Sequence, residues 1–498
     1  MEYNKDIPLD ISSIFKVGIE SWYKTFDWPI KWTHFLKLEN DIKDILNKHI
    51  KENPHFSDLI IINYKIFVEY SSLIYSLKII DEFGSNALIS KDNVYMQSLA
   101  ENQIPNSPII SFPNLDSNPN KGFKPYLRRF KNNIIDNNFS LPRLGKDKIF
   151  ILMESRSLNT LNHIKSKYNG RICSLSFFDF YNSRLKSNKK NHKAINCLVK
   201  SILDDLINVS NNFGVELNLI QKKYLLNHTL DLFTRSNDAL INVIDGLGDR
   251  KINLYLGCNN NYYSRILSVA IRKLGGKIHG FKHGEPINYL NDLTSWLDLS
   301  LCDYWYEYDE KSIKIMNDII PSFPPPNNNK FEIRSMKKSC FDNFFQSNLV
   351  ENDIDSQTII LIGNRYRNNS FSSATAVFPT LQFYIELTII KKLQKKGFKV
   401  IYKIHPGNTF ETRKFFNLIK QSRNKIYDSF DIDYSFFKDT LSYSNSYAFY
   451  YTGTTTFGEA LISGKSIYLF DYRIKNFPNT IDTYIKNRCV YQKINYEI

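Results

Sequence analysis

"YYTGTTTFGEALISGKSIYLFD", Tyr450 to Asp471, changes structural period twice within one short stretch. The aromatic run into Gly453 reads as a strand, "TTTFGEALISG" as a helix, and "KSIYLFD" as a second strand. Strand, helix and strand at this spacing make the repeating unit of a parallel sheet. Thr454, Thr455 and Thr456 open the helix, where unpaired backbone N–H groups and the positive dipole end suit a phosphate. Glu459 lies one turn further in, within reach of ribose hydroxyls. The plain alternative is a helix cap followed by a capping-type glutamate.

The same grammar extends upstream. "QTIILIGN" reads as a strand, "TLQFYIELTIIKKLQKKG" as a helix, "FKVIYKIHP" as a strand and "ETRKFFNLIKQSR" as a helix. In open α/β sheets, ligands bind outside the carboxyl ends of the strands. Arg365 and Arg367 follow the first of these strands, and guanidinium groups pair with phosphate oxygens through parallel N–H bonds. Lys403, His405 and Pro406 close the second, Pro406 disfavouring helix at His405. Each turn taken singly has an ordinary reading as a solvated loop or a cap. Three strand ends converging on donors for an anion is the stronger observation.

A first series of strands and helices precedes it. "KIFILMESRS", "RICSLSFFDF", "KINLYLGCNN" and "KIHGFKHGE" read as strands, with helices between them and a long helical stretch ending near Leu247. "PSFPPPNNNK", Pro321 to Lys330, is polar and proline-stiffened, and reads as a linker. The expected organisation is therefore a mixed, mostly helical region over 1–145 that forms part of the acceptor domain, followed by the acceptor-side Rossmann-like α/β domain over 146–320. A linker over 321–330 follows, then a second Rossmann-type α/β domain over 331–498, with a cleft between the two. His283 ends a strand of the first domain and can take a proton from a hydroxyl nucleophile. Glu285 is an alternative base or a group that orients His283, and Glu154, just past "IFILM", is a further acceptor-side carboxylate. The competing reading of His283 is an ordinary core or loop histidine. His279 and His283 are four apart on a strand, which does not suit a zinc pair.

Bulk properties narrow the partners. The chain has 498 residues and 42% hydrophobic residues, ordinary for a protein with a large core. Its six cysteines are scattered without a CxxC pair, which fits a reducing compartment and no structural zinc. "MEYNKDIPLD" shows no secretory signal, and "DLIIINYKIFVEYSSLIYSLKII" is interrupted by Lys65, Glu69 and Lys78, so a cytoplasmic location is expected. Formal charge of +15 attracts phosphorylated substrates, acidic glycans or the anionic inner face of a membrane, where the chain would sit peripherally. A lysine-rich composition with mostly solvated charges explains it equally well. No nucleic-acid signature is present, and no cofactor or bound metal is expected. The two Asp-x-Asp runs are discounted as metal sites, Asp353 to Asp355 because it precedes its strand and Asp431 to Asp433 because it reads as part of a charged connection.

The histidine-glycine turn, the arginine loop, "KIHP" and "TGTTTFGEAL…FD" together resemble bacterial surface-polysaccharide transferases of the GT-B type. The likeness spans roughly residues 250 to 475. It is strongest to teichoic-acid CDP-glycerol glycerophosphotransferases and to capsule and lipopolysaccharide glycosyltransferases that use CMP-, CDP- or UDP-activated donors. The resemblance implies a GT-B-like α/β fold with two Rossmann-type domains facing a cleft. It also implies donor phosphate bound at His405 and Thr454 to Thr456, and His283 as base. The glycerophosphotransferases carry Thr-Asp-Tyr-Ser-Ser where this chain has Thr-Gly-Thr-Thr-Thr, and HGTP where it has HGEP, so the pattern reads more like a sugar transferase. The partners implied are a nucleotide-activated sugar and a glycan or lipid-linked glycan acceptor. A CDP-glycerol-type polyol-phosphate transferase, a nucleotide-sugar epimerase and an inactive nucleotide-sugar-binding subunit remain open alternatives.

Overall fold

A computed structural model describes residues 6–28, 30, 32–103, 148–152, 157–167, 171–181, 191–257, 259, 261–282, 299–319, 331–337, 357–366, 379–408, 413, 416–417, 419–420, 428–452, 454–471 and 479–494. The amino-terminal part runs β1 (Ile7–Pro8), α1 (Ile11–Val17), α2 (Ile19–Thr25), α3 (Trp32–Glu52), α4 (Ser57–Phe83), β2 (Ala87–Leu88) and α5 (Val94–Ala100). Then follow β3 (Lys148–Leu152), α6 (Leu158–Lys167), β4 (Arg171–Leu175), α7 (His192–Asn212), α8 (Leu219–Leu247), β5 (Asn253–Leu256) and α9 (Tyr262–Lys273). The first sheet ends with β6 (Lys277–Phe281), β7 (Tyr304–Glu307), α10 (Glu310–Ile319) and β8 (Glu332–Ser335). The second part has β9 (Thr358–Ile362), α11 (Pro379–Lys395), β10 (Lys399–Lys403), β11 (Asp431–Asp433), α12 (Phe437–Thr440) and β12 (Ser446–Phe449). It closes with α13 (Thr455–Ile462), β13 (Ser466–Asp471), α14 (Asn479–Arg488) and β14 (Val490–Lys493).

Two six-stranded, wholly parallel sheets organise these elements, with orders β4-β3-β5-β6-β7-β8 and β11-β10-β9-β12-β13-β14. The fold is α/β, with two Rossmann-like domains. In chain order the second sheet is 3-2-1-4-5-6, the dinucleotide-binding arrangement, and its direction of winding reverses between β9 and β12. The strands are buried on both faces, as parallel sheets require: Ile359, Ile360, Leu361, Tyr447, Ala448 and Phe449 are all inaccessible to solvent or nearly so. Helix α4 is buried along almost its whole length among α3, α5, α8 and α9, and Tyr70 and Asn63 on it bond to Thr229 of α8 and Ser236 of α8. Among the described residues, no helix is long and apolar enough to cross a membrane.

Two boundaries differ from the sequence expectation. Strand β8 pairs in parallel with β7, Tyr304 beside Glu332 through Glu307 beside Ser335. The first sheet therefore continues past 321–330, a stretch that itself lies outside the described residues. A proline-rich break reads the same between two strands of one sheet as between two domains, which is why the sequence put the border too early. The second difference concerns the amino terminus. Strand β1 pairs with β2, and Asp10 caps α1 while accepting from Ser90 N at 2.7 Å, so this end is anchored on the first domain. Yet α1 and α2 pack on α11 of the second domain. Trp22 stacks on Phe383 at 5.4 Å, Phe26 on Tyr384 at 4.2 Å, and the Tyr23 hydroxyl meets that of Thr388 at 3.0 Å. Trp28 then returns to the first domain, donating to the Tyr75 hydroxyl at 3.0 Å.

Aromatic packing fixes the protonation of the first sheet. His279 of β6 lies flat between Tyr255 at 4.2 Å and Tyr304 at 4.7 Å. Burial, reinforced by the charge of Arg334, lowers its pKa to about 3, and burial beside Lys167 and Lys337 lowers that of His163 to about 4. Both are neutral in the folded state, so their stabilising contribution is full above the unfolded pKa of about 6.5 and is lost as pH falls toward the folded values. Each group makes stability fall by up to about 1.4 kcal/mol per pH unit in that window. Urea unfolding from pH 7 to 4 should show this slope, and His279→Phe should remove one group's share of it; an unchanged slope would rule out His279 as a source.

Candidate functional site

The carboxyl ends of β10, β9 and β12 are adjacent in the second sheet. Arg365 follows β9, His405 follows β10, and Thr454 opens α13 after β12. Gly407 shows how closely the first two meet. A Cβ built there would fall 3.1 Å from Nδ1 of His405 and 3.3 Å from Nε of Arg365, so both side chains share one small volume. Nδ1 of His405 accepts from Gly407 N at 2.9 Å, which puts the proton of the neutral ring on Nε2 and leaves that nitrogen a donor. Pro406 is exposed, and its carbonyl accepts from Nη2 of Arg413 at 3.0 Å.

The Arg365 turn is clamped at every backbone amide. Gly363 N donates to Lys403 O at 2.9 Å, Asn364 N to the Tyr450 hydroxyl at 3.2 Å, Arg365 N to Asn364 Oδ1 at 2.8 Å, and Tyr366 N to Asn408 Oδ1 at 2.8 Å. Arg365 itself is exposed, and its guanidinium has no ion-pair or hydrogen-bond partner among the described residues. Beneath the turn lies Glu386 of α11, fully buried. Its carboxylate accepts from the Tyr366 hydroxyl, the Tyr402 hydroxyl at 2.9 Å and the Tyr450 hydroxyl at 2.5 Å, with Gln382 Nε2 at 3.4 Å. Burial raises the Glu386 pKa, and the tyrosine hydroxyls oppose that rise. Burial, then the Glu386 charge, pushes the Tyr366 and Tyr402 pKa values up, so both hydroxyls stay protonated as donors. Two further polar atoms at this edge, Asn408 Nδ2 and Thr452 Oγ1, are buried without a hydrogen-bond partner among the described residues. An unmet buried donor costs about 1–3 kcal/mol, so the edge holds polar capacity that the fold does not use.

Other expected residues take different places. Lys403 is buried and its ammonium donates to Ser435 O on the β11 side, with burial lowering its pKa. It is a structural tie of the β11 turn, not a member of the Arg365 and His405 group. Thr454 is the N-cap of α13, its Oγ1 accepting from Phe457 N at 3.1 Å. That cap leaves the first amides of the helix, at Thr455 and Thr456, without an intrahelical partner. Glu459 sits one turn in, 3.7 Å from Nζ of Lys438. Arg367, Gly453, Glu154, His283 and Glu285 lie outside the described residues; the chain before His283 is held by Lys282 N donating to Tyr306 O at 2.9 Å. Asp431 pairs with Lys420 and Lys399, and Asp433 accepts from Ser435 and the Tyr443 hydroxyl. No group of three metal-ligating side chains occurs among the described residues.

The sequence reading missed Glu386, Asn408, Thr452 and the three tyrosines. Asn408, Thr452 and the tyrosines lie inside or beside the motifs already singled out, whereas Glu386 sits in the middle of a helix. Chemically, the edge offers an exposed guanidinium, an imidazole N–H and two helix amides without an intrahelical partner from three adjacent turns, a set suited to a multivalent oxyanion.

No protein-family model matches the chain, and no curated protein matches it. Among solved structures, the crystal structure of UGT89C1 from Arabidopsis thaliana aligns with 70% of this chain and 78% of its own, at 9% identity and a TM-score of 0.31.

The clamp makes a specific demand on Gly363. A Cβ there would fall 2.2 Å from the Tyr402 hydroxyl oxygen, which is itself held by Glu386. Gly363→Ala should destabilise the chain by about 1–3 kcal/mol in urea unfolding, as overpacking does. Equal stability of Gly363→Ala and the parent would show that the turn has room to move.

Proposed function

We propose that this chain is a GT-B-type glycosyltransferase that moves a sugar from a CMP-, CDP- or UDP-activated donor to a surface-glycan acceptor. The observation that carries the reading is the meeting of Arg365 and His405 beside the start of α13 at the switch point of a 3-2-1-4-5-6 sheet. In this reading Arg365, Arg367, His405 and the amides and hydroxyls of Thr454 to Thr456 hold the donor phosphates. Glu459 faces the ribose. As the glycosidic bond to the leaving phosphate breaks, these fixed donors stabilise the charge that develops on it. His283 removes the acceptor hydroxyl proton, with Glu285 or Glu154 as supporting carboxylates on the first domain. The acceptor is a glycan or lipid-linked glycan of the capsule, lipopolysaccharide or teichoic-acid type, met at the inner face of the membrane.

A thermal-shift comparison of CMP, CDP, UDP and GDP tests the donor class. A nucleotide present at a hundred times its dissociation constant stabilises the folded state by about 2.7 kcal/mol. A rise with CMP, CDP or UDP is expected; no rise with any of them would overturn the reading. The two histidines should then fail differently. His405→Ala removes a charge-assisted hydrogen bond and should weaken nucleotide binding about ten- to a hundredfold. His283→Ala should leave that affinity nearly intact and slow transfer by roughly a hundredfold or more. Titrations and rates measured on both variants decide it, and the reverse pattern would exchange the roles of the two domains.

A further inference from the structure

We infer that Glu386 is a positioning residue for donor binding: its carboxylate, shared by the hydroxyls of Tyr366, Tyr402 and Tyr450, holds the Arg365 turn in place between the ends of β10 and β12. The inference rests on the donor-site reading above. Glu386 does not face the donor. It is fully buried on α11, the crossover helix between β9 and β10, and reaches the site only through its partners.

Those partners come from every strand end that matters. Tyr366 immediately follows Arg365, Tyr402 lies in β10 three residues before His405, and Tyr450 lies two before Thr452. The Tyr450 hydroxyl gives its proton to Glu386 and accepts from Asn364 N at 3.2 Å, so the carboxylate is linked to the Arg365 turn from two directions. Gln382 Nε2 adds contacts of 3.4 Å to Glu386 and to Asn364 O. All these groups donate to Glu386, which is the pattern of an ionised, acceptor-only carboxylate. A glutamine of the same shape brings a donor in place of one acceptor. At least one hydroxyl bond must then reverse or be lost, and the turn it anchors is held less firmly.

The sign of the effect separates positioning from charge. A buried negative charge under an anion site repels the anion, so simple electrostatics predicts that Glu386→Gln tightens binding. Positioning predicts the opposite. The experiment titrates CDP, UDP and inorganic pyrophosphate into the full-length wild type, Glu386→Gln, Arg365→Ala and the double variant, below each variant's melting temperature. Glu386→Gln should weaken binding about tenfold in the wild-type background and less than about twofold when Arg365 is already alanine, because the two act through one contact. Tyr450→Phe, which keeps the buried ring and deletes one hydroxyl, should show a smaller loss with the same dependence on Arg365. If Glu386→Gln does not fold, Tyr450→Phe and its Arg365→Ala double variant carry the same cycle. Tighter or unchanged binding, or an equal loss in both backgrounds, would overturn the inference while leaving the donor-site reading intact. No binding of any of the three probes to the wild type would overturn both.

Discussion

Burying one carboxylate commits four elements of the second domain to a single geometry. An ionised group taken out of water is tolerable only when its oxygens are fully met by donors. Glu386 obtains them from residues on or just beyond β9, β10 and β12 together with its own helix. Removing any one leaves the rest with an underpaired charge, so the network holds as a whole or fails as a whole. That is an expensive way to fix loops, and it is concentrated at the edge where a doubly wound sheet places its ligand. Elsewhere in the second core, Val400, Phe383 and Leu393 pack without polar help.

Helix α11 transmits a second constraint. One part of its surface carries Gln382 and Glu386 toward the strand ends, while Phe383, Tyr384 and Thr388 receive Trp22, Phe26 and Tyr23 from the amino terminus. The segment holding these aromatics is tied to the first domain at both its ends, by β1 with β2 and by Trp28 with Tyr75. The two domains are thus joined by more than the chain that runs from β8 to β9. The amino-terminal segment grips the very helix that supports the Arg365 turn, so the geometry of the site and the docking of the domains share a structural element.

Much of the α/β grammar was legible because parallel strands buried on both faces read as short apolar runs between helical periods. "QTIILIGN", "FKVIYK" and "YAFYY" announced β9, β10 and β12 for this reason. Arg365 and His405 were legible as strand-end residues, and their proximity followed once the strands proved adjacent. Glu386 was not, because a glutamate inside "QFYIELTII" looks like a solvated helix position; only the tertiary fold turns it inward. Lys403 misled for the converse reason. Residues two apart share a face only while a strand continues, and β10 ends at Lys403, so its spacing from His405 does not bring the two side chains together. The border near Lys330 failed because β8 is a short edge strand, and nothing in "FEIRS" says which sheet it will join.

Charge and geometry play separate parts at the edge. Some of the basic side chains of this +15 chain are paired with carboxylates, such as Lys48 with Asp205, Lys273 with Asp58 and Lys420 with Asp431. Exposed pairs of this kind are screened by salt and contribute little individually. A general positive field would raise the local concentration of any anion without distinguishing one from another. Discrimination needs donors fixed relative to each other. Arg365 on a turn with no free backbone amide, His405 with its proton assigned to Nε2 by Gly407, and the open amides of α13 satisfy that need. The bonds of Tyr366, Tyr402 and Tyr450 to Glu386 tie the ends of β9, β10 and β12 to one buried group, and donors fixed in this way lose less freedom on meeting an anion than mobile ones would.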